Sequence, residues 1–378
     1  MRLTDEQVLI RDTARRFAAE KLAPTAAERD RTHAFPAEGL KGLAELGVLG
    51  MVVPTEWGGA GLDHVSLALA IEEIAAADGA CSTIVAVQAL VCGILAKYGT
   101  DTQKEIFLKP LASGAHIGAF ALTEPHAGSD ASALRTRAEK KGDRYILNGA
   151  KQFITSGKNG QLAIVFAVTD PSAGKKGISA FAVPTTTKGY TVVKVEEKMG
   201  QHGSDTAALS FDNMEVPVEN RISAEGEGYK IALANLEGGR LSIAAQSLGM
   251  ARAAYEAALA YAKDRTSFGK PIAEHQAISF RLADMAMQLQ AARLLTHHTA
   301  ELRDAGQPCL TEACMAKLYA SEAAEKICAM ALHIHGGYGY LADFPVERIY
   351  RDARVCTLYE GTSDIQRLII SKNIVGAA

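Results

Sequence analysis

An α+β chain in three successive parts, helical then β then helical, is what this sequence predicts. Three observations carry the prediction. Apolar residues recur at helical spacing up to about residue 117. Short β-type runs separated by Gly, Pro, Asn and Asp fill the next hundred residues, and helical spacing then returns to the end. At 378 residues the chain is long enough for two or three domains. We place an N-terminal α-helical domain at 1–117, a middle β-barrel or sandwich domain at 118–224 and a C-terminal helical bundle, four-helix in type, at 225–378.

Each part has its own signals. Thr4 followed by Gln7 is a capping-box start, and Leu3, Val8, Phe17 and Leu22 open the apolar stripe. Ile71, Ile74, Ile84, Val87, Val91 and Leu95 continue it. Breaks are expected at Pro24, Pro36 and Pro54 and at Trp57-Gly58-Gly59-Ala60-Gly61, which reads as a turn rather than a lid. Gly99 and Pro110 frame a further helix, and the Glu72-Glu73 pair reads as a solvated helix face. In the middle part, runs at 145–149, 163–168, 178–183, 190–195 and 208–211 lead us to expect six or seven short strands. In the last part Leu241, Ala245, Leu248, Ala251, Tyr255 and Leu259 share one face, and Ile278, Leu282, Met285, Leu289 and Ala292 share another. Met315, Leu318, Ile327 and Ala331 open a third. Gly306-Pro308 and Gly336-Gly337 end helices. No internal repeat is visible.

Composition narrows the function. Apolar residues make up 48% and charged residues 22%, the balance of a globular protein. A formal charge of −3 gives no basic face for nucleic acid or anionic membrane. The six cysteines lack CxxC spacing and read as reduced, buried thiols. The start lacks a signal-peptide pattern and no run of 18 uncharged apolar residues is seen, so we expect no membrane span. The expected setting is cytoplasmic for a bacterial chain, or the mitochondrial matrix for a processed eukaryotic one.

The most informative segment is Leu358-Tyr359-Glu360-Gly361-Thr362-Ser363-Asp364-Ile365-Gln366-Arg367. It sets one carboxylate, Glu360, between an aromatic residue and a glycine. A carboxylate held against apolar surface is disfavoured as an ion, so its pKa rises and it can serve as a base near neutral pH. The plainer reading is a loop glutamate before a last helix capped by Thr362. Two further segments sit at strand ends: Phe120-Ala121-Leu122-Thr123-Glu124-Pro125-His126-Ala127-Gly128-Ser129-Asp130, and Gln152-Phe153-Ile154-Thr155-Ser156-Gly157. Hydroxyls and exposed backbone N–H groups in the first suit a diphosphate or flavin edge, and the Phe153 ring can cover a flat cofactor. Each also reads as an ordinary turn, with Asp130 as a cap, or a strand with a core phenylalanine. The His297/His298 and His333/His335 pairs lack the carboxylate partners of a metal site, so no metal is expected. Gly336-Gly337-Tyr338-Gly339 follows no strand and is no dinucleotide fingerprint.

Taken together, the Glu360 loop, the two strand-end segments, Arg265-Thr266-Ser267-Phe268-Gly269-Lys270-Pro271-Ile272, Glu274-His275-Gln276-Ala277-Ile278-Ser279-Phe280 and Leu332-His333-Ile334-His335-Gly336-Gly337-Tyr338-Gly339-Tyr340 resemble the acyl-CoA dehydrogenase family in order and spacing. The resemblance covers essentially the whole chain. Leu236-Glu237-Gly238-Gly239-Arg240 and Ala291-Ala292-Arg293-Leu294-Leu295 bring it closest to short-chain and short-branched-chain members.

The resemblance implies an FAD flavoenzyme that converts a short or branched acyl-CoA to the trans-2-enoyl-CoA. Glu360 takes the α-proton, flavin N5 takes the β-hydride, and an electron-transfer flavoprotein receives the electrons. It implies that the thioester oxygen sits between the Glu360 N–H and a flavin ribityl hydroxyl. FAD contacts are implied for Phe120, Leu122, Thr123, Gly128, Ser129, Phe153, Ile154, Thr155, Thr362 and Asp364. Arg265, Phe268, Gln276, His333, Gly336 and Gly337 are implied to reach the FAD of a neighbouring subunit in a homotetramer. Acyl-CoA contacts are implied for Ser129, Glu237, Arg240, Tyr359 and Gly361. Departures from the family pattern are Phe153 for a frequent Trp, His333 for a frequent Gln, the shorter Asp364, and His126, which has no assigned role. Members that carry the base just before the arginine of the bundle helix have it where this chain has Gly239, so Glu360 stands unopposed. The alternatives are an acyl-CoA oxidase, though oxidases are often longer, and a non-catalytic CoA-ester-binding protein.

Overall fold

The computed structural model describes residues 2–376. It opens with α1 (Asp5–Phe17), capped by Thr4 in the full reciprocal box with Gln7. A π turn over Ala18–Leu22 carries α1 directly into α2 (Ala23–Thr32). Pro24 therefore does not break the helix, contrary to expectation. The wider π turn accommodates the missing N–H and the ring that would otherwise clash one turn back. Pro110 is absorbed in the same way. A π turn over Lys104–Leu108 joins α6 (Asp101–Gln103) to α7 (Lys109–Ala112). Between them lie α3 (Ala37–Glu45), α4 (His64–Ala77), capped by Asp63, and α5 (Gly79–Tyr98), capped by Asp78. The Trp57 segment is a short 3-10 turn closed by Gly58 at φ 81°.

One expectation needs correction here. Glu72 and Glu73 are not solvated: they are 4% and 3% exposed. The run Val65–Ala75 on α4 is buried without interruption, so the helix has no solvent face to offer them. Helix α5 is in fact long and apolar enough to cross a membrane, with a mean hydropathy of 2.0, yet 78% of that stretch is buried inside the fold. Its apolarity is that of a core helix enclosed on all sides.

The middle part is one eight-stranded mixed sheet in the order β6-β7-β3-β2-β4-β5-β8, with β1 pairing β4. The strands are β1 (Gly118–Ala121), β2 (Arg137–Lys141), β3 (Arg144–Thr155), β4 (Leu162–Val168), β5 (Ile178–Pro184), β6 (Tyr190–Val195), β7 (Thr206–Pro217) and β8 (Arg221–Ile222). The pairing of β1 with β4 is parallel, whereas β3–β7, β4–β5 and β6–β7 are antiparallel. Apart from their last residues, β4 and β5 are buried throughout, as their continuous apolar runs require; β3 and β7 alternate. Register slips on β3 between Leu147 and Gly149 and between Lys151 and Ile154 mark bulges. The second re-aims the Phe153 ring, as bulges do.

Helix α8 (Gly228–Asp264) is the spine of the last part, buried at every residue from Gly239 to Ala251. It packs against α4, α5, α9 (Gln276–Asp304) and α10 (Leu310–His335). A small hairpin, β9 (Thr266–Ser267) with β10 (Lys270–Pro271), links α8 to α9. Gly306 and Gly336, at φ 66° and 62°, end α9 and α10. The chain finishes with α11 (Pro345–Ala353), a 3-10 turn at Arg354–Thr357, and α12 (Ser363–Val375). All six cysteines are free and buried.

Candidate active site

The loop between the 3-10 turn and α12 holds Glu360 in a conformation few residues adopt. Its φ is 54°, and Gly361 follows at 87°. A left-handed backbone costs a non-glycine residue about 1–2 kcal/mol, so something must hold it. Gln366, one turn into α12, donates from Nε2 to the Glu360 carbonyl at 3.0 Å and to the Gly361 carbonyl at 2.9 Å. Lys317 on α10 donates to the Gly361 carbonyl at 2.7 Å. Thr362 caps α12 by accepting from the Ile365 N–H at 3.3 Å, the capping role its position in sequence allows.

The Glu360 side chain turns toward α8. A Cβ on Gly239 would stand 2.5 Å from Glu360 Oε2 and 3.2 Å from Leu90 Cδ1 on α5. Only glycine leaves room for the carboxylate there. Among the described residues Oε2 is buried with no hydrogen-bond partner. Burial raises the Glu360 pKa to about 7, while the positive charges of Arg240 and Lys317 oppose the rise. An orphaned carboxylate oxygen with a pKa near neutrality has the properties of a general base. Arg240 is 4% exposed and its Nε is also unpartnered. Tyr359 is anchored through its hydroxyl to Gln246 Oε1 on α8. Gln246 is in turn tied to Ser82 and Thr83 of α5 at 2.9 and 2.6 Å. The base loop is thus braced from α5, α8, α10 and α12.

The two strand-end segments meet. The Gln152 N–H donates to the Thr123 carbonyl at 2.9 Å. Lys151, fully buried, reaches the Leu122 carbonyl at 3.0 Å and Glu124 at 2.8 Å. Phe153 has φ 59° and is 63% exposed, so it is no core phenylalanine. Ile154 beside it is buried and Thr155 half-buried. Phe120 is half-buried against Phe166, Leu122 is buried, and Gly128 and Ser129 are exposed. A Cβ on Gly128 would meet nothing within 4 Å, leaving that backbone open to a ligand.

A third group lies where the β9–β10 hairpin faces the end of α10. A pocket of about 420 Å³ is lined by Arg265, Gly336, Gly337 and Tyr338, with the Arg265 guanidinium 5.5 Å from the Tyr338 ring centre. Phe268 is 97% exposed at the hairpin tip, and Gln276 and His333 are exposed. No residue around Glu360 lines this pocket. Glu237 is half-buried and pairs with Arg303 at 3.1 Å. Asp364 is exposed beside Arg367, 3.7 Å away. His126 Nε2 lies 3.5 Å from Glu124.

Reading the sequence missed Lys317, Gln366, Gln246 and the Lys151–Glu124 pair. For Lys317 a signal existed: it falls at helical spacing with Ala313, Ala320 and Ala324, all buried. A lysine inside an alanine seam has to have a partner.

Family models cover most of the chain. They match "Acyl-CoA dehydrogenase, N-terminal domain" over residues 4–115, "middle domain" over 119–214 and "C-terminal domain" over 226–375. The chain is 50% identical over 377 residues to the acyl-CoA dehydrogenase of Bacillus subtilis (strain 168), covering 100% of both. Among solved structures it is 43% identical to butyryl-CoA dehydrogenase from Megasphaera elsdenii, with a TM-score of 0.97 and 99% of each chain covered. It is 44% identical to a chain solved in work on the electron transferring flavoprotein of Acidaminococcus fermentans. That match has a TM-score of 0.98 and covers 100% of this chain and 99% of that one.

Proposed function

We propose that this chain, which belongs to the acyl-CoA dehydrogenase family of FAD-dependent flavoprotein oxidoreductases, desaturates a short or branched short-chain acyl-CoA with Glu360 as its base. The observation that carries the base assignment is the buried, unpartnered Glu360 Oε2 set against Gly239. The short-chain reading rests on the likeness to butyryl-CoA dehydrogenase.

The residues present fit FAD. Phe153 offers an exposed ring at a bulge, and Gly128 an open backbone in the loop that follows β1. Phe120–Ser129, Phe153–Thr155, Thr362 and Asp364 would hold the cofactor. Arg265, Phe268, Gln276, His333, Gly336 and Gly337 would hold that of a neighbouring subunit. Bound FAD supplies the hydride acceptor.

The protein's part is proton transfer and charge stabilisation. The α-proton of the thioester passes to Glu360 Oε2. The Glu360 N–H makes no hydrogen bond among the described residues and is free to donate to the thioester oxygen, where negative charge grows. Arg240, Ser129, Glu237, Tyr359 and Gly361 contact the acyl-CoA. The product is the trans-2-enoyl-CoA, and the electrons go to an electron-transfer flavoprotein. The exposed Phe268, Tyr340 and Met287 suit burial between subunits of a homotetramer.

Anaerobic flavin reduction tests this reading. Butyryl-CoA bleaches the flavin band of the parent protein. Glu360→Gln binds the thioester but reduces flavin on the order of 10³-fold more slowly, within the range for loss of a general base. Reduction at the parent rate by Glu360→Gln removes the assignment. A panel from propionyl- to octanoyl-CoA with isobutyryl-, 2-methylbutyryl- and isovaleryl-CoA then sets the acyl preference. One methylene is worth only about 1–3 kcal/mol, so that preference is graded.

A further inference from the structure

We infer that Lys317 is a positioning residue for the base: its charge holds Glu360 toward the carboxylate form, and its hydrogen bond fixes the peptide that follows Glu360. The inference rests on the reading of Glu360 as base.

The side chain has no other evident use. Lys317 is fully buried in α10, and its ammonium donates to the Gly361 carbonyl at 2.7 Å. That carbonyl already has a donor in Gln366, at 2.9 Å. A neutral side chain at 317 would leave it satisfied, so hydrogen bonding alone does not require a buried cation. Burying an ammonium is costly, and burial lowers the Lys317 pKa to about 8. What a cation adds that a neutral donor does not is a field. The groups that bear on Lys317 are Cys356 and Glu360 from the chain before α12, Arg240 from α8, and Cys314 from α10 itself. Burial raises both thiols' pKa values, which leaves them neutral near pH 7. Glu360 is therefore the one anion among them. It faces two cations, Arg240 and Lys317, and both favour its ionised form. Arg240 is also a proposed substrate contact; Lys317, fully buried, is not.

Charge and clamp separate experimentally. Lys317→Met removes both, and Gln366→Met removes a clamp without removing charge. Single-turnover reduction of the holoenzyme by butyryl-CoA is followed without oxygen against pH, with melting temperature recorded beside it. Lys317→Met moves the acid-limb midpoint measurably upward, because the lost cation favoured the ionised carboxylate. Gln366→Met slows reduction but leaves the midpoint in place. Lys317→Arg, which keeps the charge, keeps the parent midpoint. If Lys317→Met does not yield folded protein, Lys317→Gln, neutral with an amide donor, makes the same comparison. A neutral variant with the parent midpoint overturns the inference, even where Glu360→Gln is inactive. If Glu360→Gln reduces flavin normally, it is the base assignment that fails.

Discussion

Two of the sites that bury carboxylate oxygens in this protein treat them oppositely. On α4, Glu72 and Glu73 are enclosed by arginines from three other helices. Arg293 lies 2.8 Å from Glu72, Arg15 lies 2.9 Å from Glu73, and Arg252 reaches both at 3.0 and 2.6 Å. Every charge there has a counterpart, although Arg252 Nε lacks the alignment for a hydrogen bond to Glu72. At the end of the bundle, Glu360 has cations nearby but an oxygen that touches no donor. The first arrangement joins α1, α4, α8 and α9. The second leaves a carboxylate with unused basicity. Buried charge that is fully paired marks architecture; buried charge left short of partners marks chemistry.

The contrast can be broken at either site. The largest effect on folding is expected at α4. Glu72→Gln takes from Arg293 its anion and from Arg252 one of its carboxylates, in a part-buried setting, and destabilises by up to about 3 kcal/mol, the low end for breaking a buried pair. Chemical denaturation reads the loss, while flavin reduction per folded molecule stays near the parent value. At the other site the expected effect is on rate. Gly239→Ala puts a methyl 2.5 Å from Glu360 Oε2, inside contact distance, and displaces the carboxylate. A misplacement of that scale costs about 10²-fold in reduction rate, with little change in melting temperature. If Gly239→Ala reduces flavin at the parent rate, the carboxylate does not need the space glycine leaves.

How much of this the sequence disclosed follows from the same contrast. Periodicity gave the helical–β–helical order and the runs of five of the sheet's eight strands, because alternation and helical stripes are local. Glu360 was legible because its neighbours Tyr359, Gly361 and Thr362 form a recognisable segment. Lys317, Gln366 and Gln246 were not, because their importance lies in what they touch 5 to 44 residues or more away in sequence. Glu72 and Glu73 were misread because two adjacent carboxylates look solvated. The run Leu67-Ala68-Leu69-Ala70-Ile71 before them and Ile74-Ala75-Ala76-Ala77 after them leaves no polar face, and that pattern was available. Pro24 and Pro110 were misread because the π turns preceding them have no marker in the sequence. Phe153 needed a bulge to bring it outward, and a bulge is set by the register of β3 on β7 rather than by β3 alone.

The pH dependence of anaerobic flavin reduction by butyryl-CoA tests the central claim most directly. Glu360 accepts a proton only when ionised, and burial places its pKa at about 7 in the free protein. Under kcat/KM conditions the rate therefore falls as pH drops below about 7, with a single acid limb absent from Glu360→Gln. A limb centred near the ordinary glutamate pKa of about 4.3, or a flat profile through pH 7, contradicts a buried, partner-starved base.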